Sequence, residues 1–179
     1  MLSPHLAGLS MSARESYLFY EAGQAVAAVH LGLAVRHVSA NPAMAASDIV
    51  IPRTHTKARM ILWLTGLAAE KKGVGKSDPL RRTRNRQRVR SQLEFLIAEM
   101  SGPVSKRHAE ARNLLNQAQD RANAICANLY DAIQQIADRL RINSRVSGSE
   151  VRDIVLAVKA RRSAEGRAIT EDGMKGESE

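Results

Sequence analysis

One cysteine, one tryptophan, two phenylalanines and three tyrosines in 179 residues leave this chain short of the side chains that usually build disulfides, thiolate metal sites and aromatic binding faces. The lone Cys126 excludes an internal disulfide framework and a cysteine-based zinc site, and it suits a reducing compartment. Flanked by Ile125 and close to Leu129, it reads as a small buried hydrophobe. Aromatic residues make up 3% of the chain against 44% hydrophobic residues, which points to an aliphatic, alanine-rich helical interior. No apolar run approaches the ~20 residues that span a bilayer, and Met1 to Leu6 carry neither a basic region nor a signal-length apolar stretch. The expectation is a soluble cytoplasmic protein with no membrane insertion. A phosphate-binding loop is also missing. Gly75-Lys76-Ser77 ends such a loop correctly, but the leading glycine position holds Glu70 and no strand precedes it, so no ATP binding is expected.

The apolar patterning predicts a mainly α fold with a small β element after the first helix. Ser12 to Glu15 form a capping box that opens a helix near residue 13, ending about Leu31 before Gly32. Residues 33–55 alternate weakly and contain Asn41-Pro42 and Ile51-Pro52, so two short strands are expected near 35–39 and 48–51, joined by a turn. A second helix is expected over 56–72 with Gly73 and Gly75 at its exit, and a third from Pro79 to about Met100, stopped by Ser101-Gly102-Pro103. From Ser105 to about Arg141 the chain reads as one long helix with Ala118, Ala122, Ile125, Leu129, Ala132 and Ile136 along a seam. Ser147 to Glu150 form a second capping box before a last helix whose inner face is Val151, Ile154, Val155 and Val158. After Arg162 the apolar pattern ends. The organisation read from this is an N-terminal extension over 1–11, a helical domain over 12–162 and a disordered tail over 163–179.

Residues Tyr20-Glu21-Ala22-Gly23-Gln24 have the frame of a zinc-protease helix, H-E-x-x-H, with both metal ligands replaced. In that motif two His at i and i+4 share one helical face and hold zinc, while the Glu activates a bound water. A phenol and a carboxamide make poor zinc ligands, so Glu21 is left without a metal-bound water to act on. An ordinary packing helix rich in alanine is the rival explanation of the same five residues. His5, His37, His55 and His108 have no i, i+4 partner, and His30, ten residues after Tyr20, has no intact pair to complete.

The match continues beyond the motif. Tyr20 to Val26 resembles the HEAGHAV segment of the peptidase domain of the FtsH family, the ATP-dependent zinc proteases. Val35 to Ser39 lies where that family has a strand. Ile61 to Glu70 is similar to its leucine-glycine-glycine-arginine-alanine-alanine-glutamate helix, and Ser77-Asp78 falls where it carries the Asp that completes the zinc site. Met100 to Ser105 and the segment Ser147 to Val151 echo its C-terminal helices, so the resemblance covers roughly residues 12 to 160. It implies that Tyr20 and Gln24 are former ligand positions, Glu21 the former catalytic base and Asp78 the third ligand. As a departure from the family pattern, no transmembrane helix or AAA+ module is expected within these 179 residues. Asp78 has its own local explanation as an N-cap followed by Pro79 at the first helical position.

Positive charge is concentrated in one segment. Residues 71–90 hold nine Lys or Arg against one Asp, a balance of +8 in a chain whose total is +9. On a helix from Pro79, Arg82, Arg86 and Arg90 form one i, i+4 row, and Arg81, Arg84 and Arg88 a second cluster roughly opposite. The first two turns are expected to project into solvent. Such arginines suit a solvated surface, phosphate or nucleic-acid binding, or an acidic protein partner. No aromatic residue interleaves them, which weakens a base-stacking role.

The leading expectation is therefore an inactive FtsH-peptidase-like domain acting as a binding or regulatory module, able to contact a peptide, a protein or further copies of itself, and needing no cofactor. One alternative is a nucleic-acid or anion-binding protein using Arg81, Arg82, Arg84, Arg86, Arg88 and Arg90. Another is an active zinc metallopeptidase that recruits Tyr20 and Asp78 with waters.

Overall fold

A computed structural model describes the backbone of residues 11–40, 47–52 and 55–175, and the side chains of 13–40, 47–52 and 55–165. Helix α1 (Met11–His30) is followed by strands β1 (Ala34–Ser39) and β2 (Ser47–Val50), then by α2 (Thr56–Val74), α3 (Pro79–Glu99), α4 (Val104–Asn128) and α5 (Tyr130–Ile142), strand β3 (Arg145–Ser147) and α6 (Gly148–Lys175). The molecule is mainly helical, and the β element stands where the sequence predicts it. The Asn41-Pro42 turn and His5 fall outside the described residues.

Helix α1 is the axis of the fold. Leu18, Ala22, Ala25, Val26, Ala27 and Ala28 are all fully buried, so the helix is covered nearly all round. It packs on α2, α5 and α6, and β1 lies against it. Gly32 turns the chain out of the helix at φ +74°, a left-handed conformation that costs glycine little. Glu15 does not serve the predicted capping box. The helix already begins at Met11, and the Glu15 carboxylate accepts from Arg141 Nε at 2.9 Å and Nη2 at 2.7 Å, tying α1 to α5.

The three strands form an antiparallel sheet in the order β2-β1-β3. β1 pairs with β2 from Ala34 opposite Val50 to Val38 opposite Ser47, with an irregularity between Val35 and His37. β3 is only three residues long and has no alternation to betray it, yet it places Val146 opposite the buried Val38. Its last residue serves the predicted second capping box, since the Ser147 hydroxyl accepts from the Glu150 backbone N–H at 3.2 Å.

The segment read as one helix over 105–141 is two helices, α4 and α5, separated at Leu129. Neither Pro nor Gly causes the break. Leu129 takes φ −121° and ψ 24° while its N–H still bonds Ile125 O and its carbonyl still receives Ile133 N, so the seam stays buried across the bend. The change of direction lets α4 follow α2 and α5 follow α1. At the C-terminal end α6 continues past Arg162, where the apolar pattern ends, to Lys175. Residues 161–165 are exposed, and Ala, Glu and Arg there have high helix preference. Residues 176–179 lie outside the described residues.

Candidate functional site

Helices α1 and α2 approach so closely that each supplies a glycine at the contact. A Cβ on Gly23 would lie 2.6 Å from that of Ala69, and one on Gly66 would lie 2.8 Å from the ring of Tyr20. The Tyr20 ring therefore rests against the α2 backbone. Tyr20 is buried, its hydroxyl receives a hydrogen bond from Asn85 Nδ2 at 2.8 Å, and it can return one to Asn85 Oδ1 at 3.1 Å. Burial pushes the phenol pKa up to about 12, with the Asn85 hydrogen bond opposing, so the group is neutral at ordinary pH.

Glu21 is 1% exposed and accepts a hydrogen bond from the Ser47 hydroxyl at 2.6 Å. Burial raises its pKa to about 7, against the Ser47 hydrogen bond, the Arg81 charge and a hydrogen bond with Tyr17. Gln24 is half-buried one turn further along α1. The Tyr17 phenol is likewise pushed well above the ordinary range by burial and by the neighbouring Glu21.

Asp78 is the N-cap of α3, its carboxylate accepting from the Arg81 backbone N–H at 2.8 Å with Pro79 in the first turn. The same segment closes on a second buried carboxylate that the motif reading did not single out. Glu70 on α2 has no exposed surface, and three donors converge on its Oε1: the Ser16 hydroxyl, the Asp78 backbone N–H at 2.7 Å and Arg81 Nη1 at 2.6 Å. Its Oε2 is buried with no hydrogen-bond partner. Burial raises the Glu70 pKa, and the three donors pull it back.

Arg81 was expected among hydrated arginines, and the structure corrects this. Its guanidinium lies 5.0 Å over the Tyr20 ring and 5.4 Å over the Tyr17 ring, and it donates to Ser16 Oγ at 3.1 Å as well as to Glu70. The inward face of α3 in these turns is Arg81, Asn85 and Val89, at four-residue spacing. Asn85 and Val89 are the two buried residues of that helix. The signal was present in the sequence as the only Asn and the only Val among the arginines, one helical turn apart. It was masked by the charge of its neighbours.

This donor set does not fit a zinc ion. Tyr20 keeps its proton and is bonded to Asn85, Asp78 directs its carboxylate to the start of α3, and the Arg81 cation stands beside both Tyr20 and Glu70. Among the described residues no group of three His, Cys, Asp or Glu side chains is placed to hold a metal. His30 turns away to Arg121, 3.1 Å from its Nε2.

The other arginines of the segment, Arg82, Arg84, Arg86, Arg88 and Arg90, are exposed. Arg88 lies 5.8 Å over the Trp63 ring, and Arg90 pairs with Glu94 at 2.8 Å. Arg82, Arg86 and Arg90 border a groove of about 640 Å³ between α2, α3 and α4, which Asn85 also lines. The i, i+4 row read from the sequence is thus one wall of a groove whose inner end reaches the partner of Tyr20. No protein-family model matches the chain, and no curated protein matches it.

Proposed function

We propose that the chain is a catalytically inactive FtsH-peptidase-like domain that acts as a binding or regulatory module. The observation that carries the reading is the environment of Glu21. A general base needs a water or substrate proton within reach. The Glu21 carboxylate is instead buried and hydrogen-bonded to Ser47, and Tyr20 beside it is bonded to Asn85. The resemblance of residues 20–26 to the HEAGHAV segment supports the ancestry, as does the order of elements: the Glu21 helix, a small β element, the Glu70 helix, then Asp78 at the start of the next. The altered residues support the loss of chemistry. Glu21 bonded to Ser47, Tyr20 bonded to Asn85 and the Arg81 guanidinium beside two tyrosine rings and Glu70 spend these groups on contacts within the chain.

The test is the zinc content of the purified chain, together with hydrolysis of an unfolded protein substrate with and without a metal chelator. The expected result is substoichiometric zinc and no chelator-sensitive cleavage. About one zinc per chain with chelator-sensitive proteolysis overturns the proposal.

A further inference from the structure

We infer that the groove between α2, α3 and α4 docks an acidic amphipathic helix of a protein partner. The inference rests on the reading of the chain as a binding module and names the surface and the class of partner.

The floor of the groove is apolar, formed by Leu64, Leu67 and Ala68 of α2, Val89 and Leu93 of α3 and Leu115 of α4. Of these Val89 is buried, and the others are partly buried, keeping some apolar surface open to the groove. The rim is basic. Arg82 and Arg86 stand one turn apart on the α3 side, followed by Arg90, with Lys71 across from them on α2. Arg90 has Glu94, whereas Arg82 and Arg86 form no ion pair among the described residues. Like charges at i, i+4 cost an exposed helix roughly 0.2–0.5 kcal/mol per pair, and of this row Arg90 is the member with a carboxylate partner among the described residues. Asn85 and Val89, the two buried residues of α3, lie at the base of the groove below the exposed arginine row.

An amphipathic helix matches both features. Leucine-type side chains at i, i+3 or i+4 and i+7 enter a groove between helices, and carboxylates along the helix edge meet the rim. Arg82 to Arg90 spans about 12 Å of helix axis, a little over two turns, so two or three acidic residues at four-residue spacing would pair with the row. Arg–carboxylate pairing is bidentate and needs the exposed forks found here. A phosphate backbone would use the cations but leave the apolar floor uncovered, and the groove lining contains no aromatic ring on which a base could stack.

The experiment is a selection from a phage-displayed library of 16-residue peptides on the full chain, with the Arg82→Glu/Arg86→Glu variant run in parallel. Both substituted positions are exposed, and circular dichroism and the urea midpoint establish that the variant is folded. The expected outcome is enrichment of peptides with leucines at helical spacing and acidic residues along one edge. A synthetic peptide of the enriched sequence should bind the variant at least tenfold more weakly, and exchanging its acidic residues for lysine should restore binding to the variant. No enrichment on the wild-type chain, or enriched peptides that bind both proteins equally, overturns the inference. So does tighter binding of a 20-base-pair duplex than of the best peptide with the same dependence on Arg82 and Arg86, which makes the rim a nucleic-acid surface. Peptide selection does not depend on zinc. A failed selection with an inactive, zinc-free chain removes only this inference, and zinc-dependent proteolysis removes only the preceding one.

Discussion

The Arg81 guanidinium stands 2.6 Å from the buried Glu70 carboxylate, so one arginine of a strongly basic helix belongs to the interior while its neighbour Arg82 belongs to the surface. The pair joins the first turn of α3 to α2. Because Ser16 and the Asp78 N–H use the same oxygen, it also joins the start of α1 and the α2–α3 connection.

Removing one member of that pair leaves the other as an unbalanced buried charge. Arg81→Met should destabilise the chain by about 3–5 kcal/mol, and adding Glu70→Gln, which removes the charge but keeps an oxygen for Ser16 and the Asp78 N–H, should recover part of the loss. Arg82→Met should stay within about 0.5 kcal/mol of wild type. Urea denaturation of the four proteins checks this. Equal effects of Arg81→Met and Arg82→Met would put both arginines in the same solvated environment.

The Tyr20–Asn85 hydrogen bonds couple α1 to α3 through two buried side chains. Tyr20→Phe leaves the Asn85 amide without its partner and should cost about 1–3 kcal/mol, as should Asn85→Leu. The double variant should cost clearly less than the sum, by about 0.5–3 kcal/mol. Additive losses would mean that the two side chains are not coupled across the α1–α3 interface.

Much of the fold was legible because its boundaries are local. Asp78-Pro79 opens α3, Gly32 closes α1, and Ser147 caps Glu150, each through groups adjacent in sequence. The alanine and isoleucine seam from Ala118 to Ile136 is buried as its spacing predicts. What escaped was decided at long range. The chain bends at Leu129 where packing on α2 gives way to packing on α1, β3 pairs with the free edge of β1, and Arg81 turns inward to Glu70, eleven residues earlier and sealed beneath it. Charge patterning placed the arginine row correctly where solvent decides, at Arg82, Arg86 and Arg90, and failed at the one position where a buried carboxylate decides.

Gly23 sets two effects against each other. In an exposed helix interior, Gly→Ala gains about 1 kcal/mol from helix propensity. Here the new methyl would meet Ala69 Cβ at 2.6 Å and the Thr65 carbonyl oxygen at 3.0 Å, neither of which can rotate away. Overpacking of this kind costs about 1–3 kcal/mol, so Gly23→Ala should be destabilising in net terms and should lower the thermal midpoint. A stabilised variant would show that α1 and α2 can separate at little cost.

Glu21 gives the chain a pH dependence of defined sign. Its pKa rises from 4.5 to about 7 on folding because burial disfavours the charge, so between these values the folded state binds the proton that the unfolded state has released. Stability from this group is complete below about pH 4.5, falls as pH rises through the window and is lost above about 7. A shift of this size corresponds to about 3 kcal/mol. Glu21→Gln keeps the shape and an acceptor for the Ser47 hydroxyl but carries no charge at any pH. It should match wild type near pH 5 and be more stable by up to about 3 kcal/mol near pH 8, as measured by urea unfolding at both values. An equal difference at the two pH values would mean that Glu21 is ionised in the folded chain throughout, as a base kept ready for catalysis would be, and would count against its reading as a sealed remnant.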